Sequence, residues 1–263
     1  PCLNLDFIYG IPGQTKDSLM ASLTEALTFE PDEIFLYPLY VRRGVAMEKS
    51  LKEGMVLDEE QAFSQYKEAR DMLLSAGFRQ DSMRRFVKAE KKRDYETCGL
   101  GTSLALGCGG RSYLGNLHFC TPYGVTISQC ERELKNYMET EDFTRICHGI
   151  LLSEEEMKRR YLIRHLFIRP GLSIRDYRER FQGEALEDFS ILKDWVDEGY
   201  LELVEEKNLK GGEGFLSLTE EGMGLSDFLG PKLISRQVQK KMEEWGMDHG
   251  KTDHFIPGDF KKL

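Results

Sequence analysis

Asp6 is the one charge in the run Asn4 to Gln14, NLDFIYGIPGQ, whose other members are apolar, small or amide-bearing. An unpaired carboxylate buried in such a strand would cost several kcal/mol, so Asp6 is expected to accept hydrogen bonds or to face a ligand. The plainer of these readings has it accepting backbone N–H groups at the start of a strand. Tyr40 closes a second apolar run, Ile34 to Tyr40, and Arg42 and Arg43 follow it directly. Paired guanidinium hydrogen bonds suit carboxylate recognition, so Arg42 is a candidate contact for a substrate that carries several carboxylates. Arg84, Arg85 and Lys88 are further basic residues, and Lys91 to Arg93 reads as a solvated face.

The cysteines stand at positions 2, 98, 108, 120, 130 and 147. Zinc sites use close pairs such as Cys-x2-Cys, and no such pair occurs. Cys98, Cys108 and His118 therefore read as incidental or buried groups in a glycine-rich stretch, and no metal ligand is assigned. His148 and His165 are expected on helices as surface or core residues. The sequence singles out no catalytic residue.

Asn4, Asp6, Phe7, Ile8, Tyr9, Gly10, Ile11, Pro12, Gly13 and Gln14 resemble the strand N-x-D-L-I-Y-G-L-P-G-Q of one radical S-adenosylmethionine (radical SAM) group. That group comprises the oxygen-independent coproporphyrinogen III oxidases and the related heme chaperones. Pro31 and Asp32, the strand Ile34 to Tyr40, Leu36 to Arg42 (LYPLYVR), Leu106 to Tyr113 and the pair Leu117–His118 extend the likeness. The resemblance implies that Asp6 lies inside a barrel and contacts S-adenosylmethionine. It also implies that backbone groups at the Tyr40 position recognise the adenine. Gly10, Ile11 and Pro12 would shape the turn that follows, and Tyr40 has the alternative of being an aromatic packed at the barrel rim.

The group's chemistry needs a Cys-x3-Cys-x2-Cys loop holding a [4Fe–4S] cluster. No cysteines here have that spacing, and the first residue is Pro1. The expectation is therefore a C-terminal part of a longer protein, with the cluster ligands absent from this chain and the chain inactive alone. The fold class implied is α/β, a partial (β/α) barrel of last strands followed by an α+β lid region and a winged-helix-like domain. Residues 1–45 would be the barrel part, 46–150 the barrel-closing helical and glycine-rich region, 151–246 the winged-helix domain and 247–263 a tail.

The implied activity is reductive cleavage of S-adenosylmethionine to a 5′-deoxyadenosyl radical that abstracts hydrogen from a small-molecule substrate, a tetrapyrrole being one candidate. The implied partner is a reductant protein for the cluster. A heme-binding chaperone of the same group is the first alternative, and a winged-helix nucleic-acid-binding module the second. The residues after the LYPLYVR run, Arg43 to Val45, depart from the oxidase pattern.

Hydrophobic spacing supplies the elements that would position these residues. Thr15 and Asp17 cap a helix through Leu27, and strand, helix and strand form a βαβ unit with a right-handed connection. Leu57 to Gly77 is a second amphipathic helix with Gly77 as its stop. Phe78 to Lys88 reads as one strand. Gly99 to Asn116 is a glycine-rich segment that closes the barrel mouth by analogy. Ser153 begins a helix through Arg169, ended by Pro170–Gly171. Ile174–Phe181 and Ala185–Gly199 follow as helices, and Tyr200–Glu206 and Phe215–Leu218 as strands flanking a turn.

At 263 residues the chain suffices for one large or two ordinary domains. Its net charge of −9 speaks against a nucleic-acid surface. Across Ser173 to Tyr200 four basic residues face eight acidic ones, a poor match for phosphate. No apolar run reaches membrane-spanning length, so no membrane partner is expected, and unclustered cysteines suit a reducing cytoplasm. If an upstream strand is missing, Leu3 to Tyr9 presents unpaired backbone along an apolar edge.

Overall fold

The computed structural model describes residues 2–41, 56–90, 101–124, 126–146, 148–205 and 214–248. Strand β1 (Asn4–Tyr9) runs parallel to β2 (Glu33–Pro38), and helix α1 (Lys16–Leu27) connects them. The Thr15 side chain caps α1 by accepting the Ser18 N–H at 3.1 Å, which satisfies one of the helix's orphan donors. Asp32 holds the start of β1, its carboxylate accepting the Leu3 N–H at 2.8 Å.

Helix α2 (Glu59–Ser75) packs on α1 and across both strands. Asp58 caps it through the Gln61 N–H at 2.8 Å. Gly77, at φ +85°, ends it in the left-handed conformation that glycine adopts without penalty.

Residues 78–88 form a hairpin, not the single strand expected. Strands β3 (Phe78–Gln80) and β4 (Arg85–Lys88) pair antiparallel, and β4 also pairs antiparallel with β2. The sheet order is β1-β2-β4-β3. The polar stretch between the two strands makes the reversal: Asp81 N–H donates to Arg85 O at 2.9 Å, and Ser82 Oγ accepts the Arg85 N–H at 3.1 Å.

The described residues divide into two compact units, 1–93 with 165–263, and 94–164. The second holds strands β5 (Arg111–Leu114), β6 (Leu117–Cys120) and β7 (Gly149–Leu151) as an antiparallel meander. Gly115, at φ +58°, and Asn116 turn β5 into β6, as a two-residue hairpin loop requires. Helix α3 (Ile127–Met138) carries a capping box between Thr126 and Gln129.

Helix α4 (Glu154–Leu166) stops three residues short of its expected end. The chain then bridges the hairpin turn, Ile168 pairing with Ser82 and the Arg169 N–H donating to Asp81 O at 2.7 Å.

The rest of the first unit continues with β8 (Leu172–Ser173), α5 (Ile174–Phe181), α6 (Ala185–Asp188), α7 (Ile191–Asp197), β9 (Leu201–Val204) and β10 (Phe215–Leu218). The three strands form an antiparallel sheet in the order β8-β10-β9. The helix expected over Ala185–Gly199 breaks at Phe189, which leaves helical geometry and buries its ring. Trp195, Leu192, Tyr177, Leu172, Leu201 and Leu216 complete this core. Helices α8 (Glu220–Gly224), α9 (Ser226–Lys232) and α10 (Arg236–Asp248) close the described chain.

Candidate functional site

Successive strand side chains point to opposite faces, and the β1–β2 register sorts them. Leu5, Phe7, Tyr9, Ile34 and Leu36 share one face, and Tyr9, Ile34 and Leu36 are buried. Tyr66, Ala69 and Leu73 of α2 and Leu19 and Leu23 of α1 are buried with them. Asn4, Asp6, Ile8, Glu33, Phe35 and Tyr37 share the opposite face. Asp6 is exposed there, and Ile8 is 48% exposed.

On this open face Asn4 Nδ2 donates to Asp6 Oδ1 at 2.9 Å. The Phe35 and Tyr37 rings stack with centroids 5.7 Å apart and planes 10° apart. Partial burial, and then the Asp6 carboxylate, push the Tyr37 hydroxyl above the usual phenol range. The arrangement is an acceptor carboxylate beside an aromatic, apolar floor. It suits a flat, hydroxyl- or amine-bearing ligand, with donors for Asp6 and a ring to lie on the aromatics. The strand-start capping that offered the plainer account of Asp6 is performed instead by Asp32.

The turn after β1 is fastened to α2 by residues that the sequence reading passed over. Gly10 N–H donates to Gln65 Oε1 at 3.0 Å, and Gln65 Nε2 donates to Gln14 O at 2.9 Å. Gln61 Nε2 reaches the same carbonyl at 3.1 Å, and Gln14 Nε2 donates back to Ile8 O at 3.2 Å. Gly10 has φ +77°, and a Cβ on it would stand 3.0 Å from Ala62 Cβ, so the close approach of α2 calls for glycine. Gln65 is 1% exposed. A polar residue beside the apolar stripe of α2 was the available signal.

Tyr40 lies just past β2, and its side chain joins a polar cluster. Its hydroxyl donates to Asp227 Oδ2 on α9 and accepts from Arg84 Nη2 at 2.6 Å. Arg84 Nη2 also binds Asp227 Oδ1, and its guanidinium carbon lies 5.3 Å from the Tyr40 ring centroid. Burial, reinforced by the Asp227 carboxylate, raises the Tyr40 hydroxyl far above the phenol range, so it stays a neutral donor. Burial opposes the Arg84 charge, but Asp227 and Tyr40 outweigh it, and the guanidinium is held charged. Neighbouring Tyr66 is pushed up to about 12, chiefly by burial, and Tyr9 rises further for the same reason.

The other basic candidates are engaged in the fold. Arg85 Nη2 pairs with Glu33 Oε1 at 2.6 Å, and Lys88 Nζ donates to Glu30 O at 3.3 Å. Arg42, Arg43, Lys91 to Arg93 and Cys98 lie outside the described residues. Cys108 is exposed, and among the described residues no three His, Cys, Asp or Glu side chains come together as a metal site. His165 lies on α4 as expected, whereas His148 immediately precedes β7 and is not helical.

No family model matches the chain. It is 25% identical over 140 residues to the heme chaperone HemW of Haemophilus influenzae, covering 52% of this chain and 35% of that protein. It is 22% identical over 228 residues to the oxygen-independent coproporphyrinogen III oxidase of Escherichia coli, covering 79% of this chain and 48% of the oxidase. A mouse relative, the mitochondrial radical S-adenosyl methionine domain-containing protein 1, is 27% identical over 115 residues, covering 41% of this chain and 26% of its own. The chain thus spans half or less of the length of these relatives. The solved structure of the Escherichia coli coproporphyrinogen III oxidase matches with a TM-score of 0.64 at 17% identity, over 88% of this chain and 54% of that one. That match shows a shared fold of mixed α and β content.

Proposed function

We propose, on the premise that this chain is a HemN-like radical SAM protein, that the open face of β1 and β2 is one wall of an S-adenosylmethionine pocket. The observation that carries the reading is the position of Asp6, exposed on the face of a parallel strand pair opposite α1 and α2, beside the stacked Phe35 and Tyr37. Asp6 would accept hydrogen bonds from the polar groups of the ligand. The backbone at Tyr40 would meet the adenine, held in place because the Tyr40 side chain is tied to Arg84 and Asp227.

S-adenosylmethionine bound at a reduced iron–sulfur cluster supplies the means of abstracting hydrogen from a substrate. The donor set here suits the nucleoside and not the cluster. The cysteines of the chain lack the Cys-x3-Cys-x2-Cys spacing, and no step through a cluster is assigned to these residues. Carboxylate, amide and aromatic groups suit the nucleoside, and the chain's own part is to bind and orient it. The names of the relatives suggest a tetrapyrrole as substrate; Arg42 would be a contact for its carboxylates, a reductant protein would serve the cluster, and the unclustered cysteines suit a cytoplasmic setting. Among the described residues no helix is long and apolar enough to cross a membrane. The barrel fragment would occupy residues 1–45, and the three short helices with the β8-β10-β9 sheet support the winged-helix reading of 151–246.

A second reading, heme binding without turnover, is favoured by the identity to the heme chaperone. Titration with S-adenosylhomocysteine and with heme, each against wild type and Asp6→Ala, separates the two. The nucleoside reading expects the substitution to weaken S-adenosylhomocysteine binding by about tenfold, equivalent to ~1.4 kcal/mol. Tight heme binding that ignores the substitution, with no nucleoside binding, would replace it with the chaperone reading.

A further inference from the structure

The β8-β10-β9 sheet has an apolar face that is covered only in part. Its register sets Leu216 opposite both Leu172 and Leu203, and Leu218 opposite Leu201, so these five leucines share one face. Leu172, Leu201, Leu216 and Leu218 are buried, whereas Leu203 is 57% exposed. Helix α6 has only four residues, and the chain leaves helical geometry at Phe189. A cleft of about 290 Å³ stays open here, lined by Leu172, Leu203 and Leu216 of the sheet, Ile174 of α5, and Ala185 and Leu186 of α6.

Three charged residues edge the cleft, namely Glu184, Glu187 and Lys193. Glu184 is engaged by Arg178, whose Nη2 donates to its Oε2 at 3.1 Å. The residue after Glu187, Asp188, is likewise committed to the fold, its Oδ2 accepting from the Tyr177 hydroxyl at 2.7 Å. Glu187 and Lys193 are exposed, and neither joins a salt bridge among the described residues. Glu187 thus offers an unused carboxylate at the edge of an apolar hollow.

Size and charge decide what such a hollow can hold. An apolar cavity of about 150 Å³ accepts benzene, so 290 Å³ admits a ring with a short arm. A mostly apolar lining with a few polar groups at its edge is the composition of small-molecule sites. Over Ser173 to Tyr200 eight acidic residues outnumber four basic ones, which favours a cation here and disfavours an anion, although Lys193 is present. We propose that this cleft binds a small organic cation, an amine carried on an apolar body, with the body between Leu186 and Leu203 and the amine against Glu187. The site lies wholly within the first unit, uses none of the residues assigned to S-adenosylmethionine, and does not rest on that reading.

The test is titration of the full chain with 2-phenylethylamine, followed by methyl NMR. The isosteric neutral 2-phenylethanol, the anionic 3-phenylpropanoate and ethylamine, which carries the charge without the ring, serve as comparators. Methyl signals of Ile174, Ala185, Leu186 and Leu203 are expected to shift saturably with 2-phenylethylamine, which should bind about tenfold more tightly than any comparator. Glu187→Gln changes an exposed side chain, and it should remove that preference over the alcohol with the circular dichroism spectrum unchanged. Leu203→Ser should weaken binding of the amine and the alcohol alike, and Lys193→Gln should leave amine binding intact or tighten it. No methyl shift at millimolar amine, equal or tighter binding of any comparator, a preference that survives Glu187→Gln, or loss of binding in Lys193→Gln would overturn the proposal. Because no nucleoside is added, failure here leaves the reading of Asp6 to be judged by its own titration.

Discussion

Tyr40 and Asp227 are separated by 187 positions in the chain, and the Tyr40 hydroxyl donates a hydrogen bond to the Asp227 carboxylate. Arg84 binds both. Three segments distant in sequence, the end of β2, the turn before β4 and α9, are thereby joined through one partly buried charge pair. Arg70 on α2 makes a second tie to the same C-terminal region, pairing with Glu220 at 2.6 Å.

Removing Asp227 should therefore destabilise more than removing the Tyr40 hydroxyl. Asp227→Ala leaves the Arg84 guanidinium and the Tyr40 hydroxyl without their acceptor, while both side chains of the Arg84–Asp227 pair remain partly exposed. The expected loss is about 1–3 kcal/mol, against about 1 kcal/mol for Tyr40→Phe. Urea unfolding reads both as a lower midpoint at constant slope. Equal midpoints for wild type and Asp227→Ala would remove the joining role.

Alkaline stability follows from the phenols. Tyr66 ionises at about 12 when folded and near 10 when unfolded, and Tyr9 and Tyr40 are raised further. A raised phenol keeps its proton in the folded state after the unfolded chain has lost it. Its contribution is complete below pH 10 and lost as pH rises toward the folded value. Each such group lowers stability by at most ~1.4 kcal/mol per pH unit in that window. Absorbance at 295 nm should show three of the eleven tyrosines ionising only with alkaline unfolding. All eleven titrating near pH 10 with the fold intact would contradict this.

The turn that follows β1 is predicted to depend on Gln65. Gln65→Leu keeps the side-chain size but leaves the Gly10 N–H without its acceptor and deprives the Gln14 carbonyl of one donor. About 1–3 kcal/mol of stability should be lost, and hydrogen exchange at Gly10 should accelerate. Unchanged exchange at Gly10 would show that α2 does not hold the turn.

Helices α5 to α7 should not retain DNA. The acidic balance over Ser173 to Tyr200 leaves little to neutralise phosphate, so a gel shift at low salt is expected to be negative. Salt-sensitive retention would revive the nucleic-acid alternative.

Local signals were legible where one segment decides its own structure. The cap at Thr15 and the stop at Gly77 stand where spacing and residue type put them. The hairpin at 78–88 was not legible, because its reversal depends on Asp81 and Ser82 bonding across the turn and on β4 finding β2 far back in the chain. The break at Phe189 likewise reflects a ring drawn into a core that adjacent residues do not reveal. Asp6 could be singled out as a lone charge in an apolar run. Gln65, Arg84 and Asp227 acquire their roles only through long-range packing. His148 was misplaced on a helix because the short strand β7 carries no alternation long enough to recognise.

The central claim is that the face bearing Asp6 receives a nucleoside, and amide NMR of the full chain during S-adenosylhomocysteine addition tests it most directly. Saturable shifts are predicted at Asp6, Ile8, Tyr37 and Tyr40, with those at the first three lost in Asp6→Ala. Shifts confined to other segments, or a map unchanged by Asp6→Ala, would contradict it.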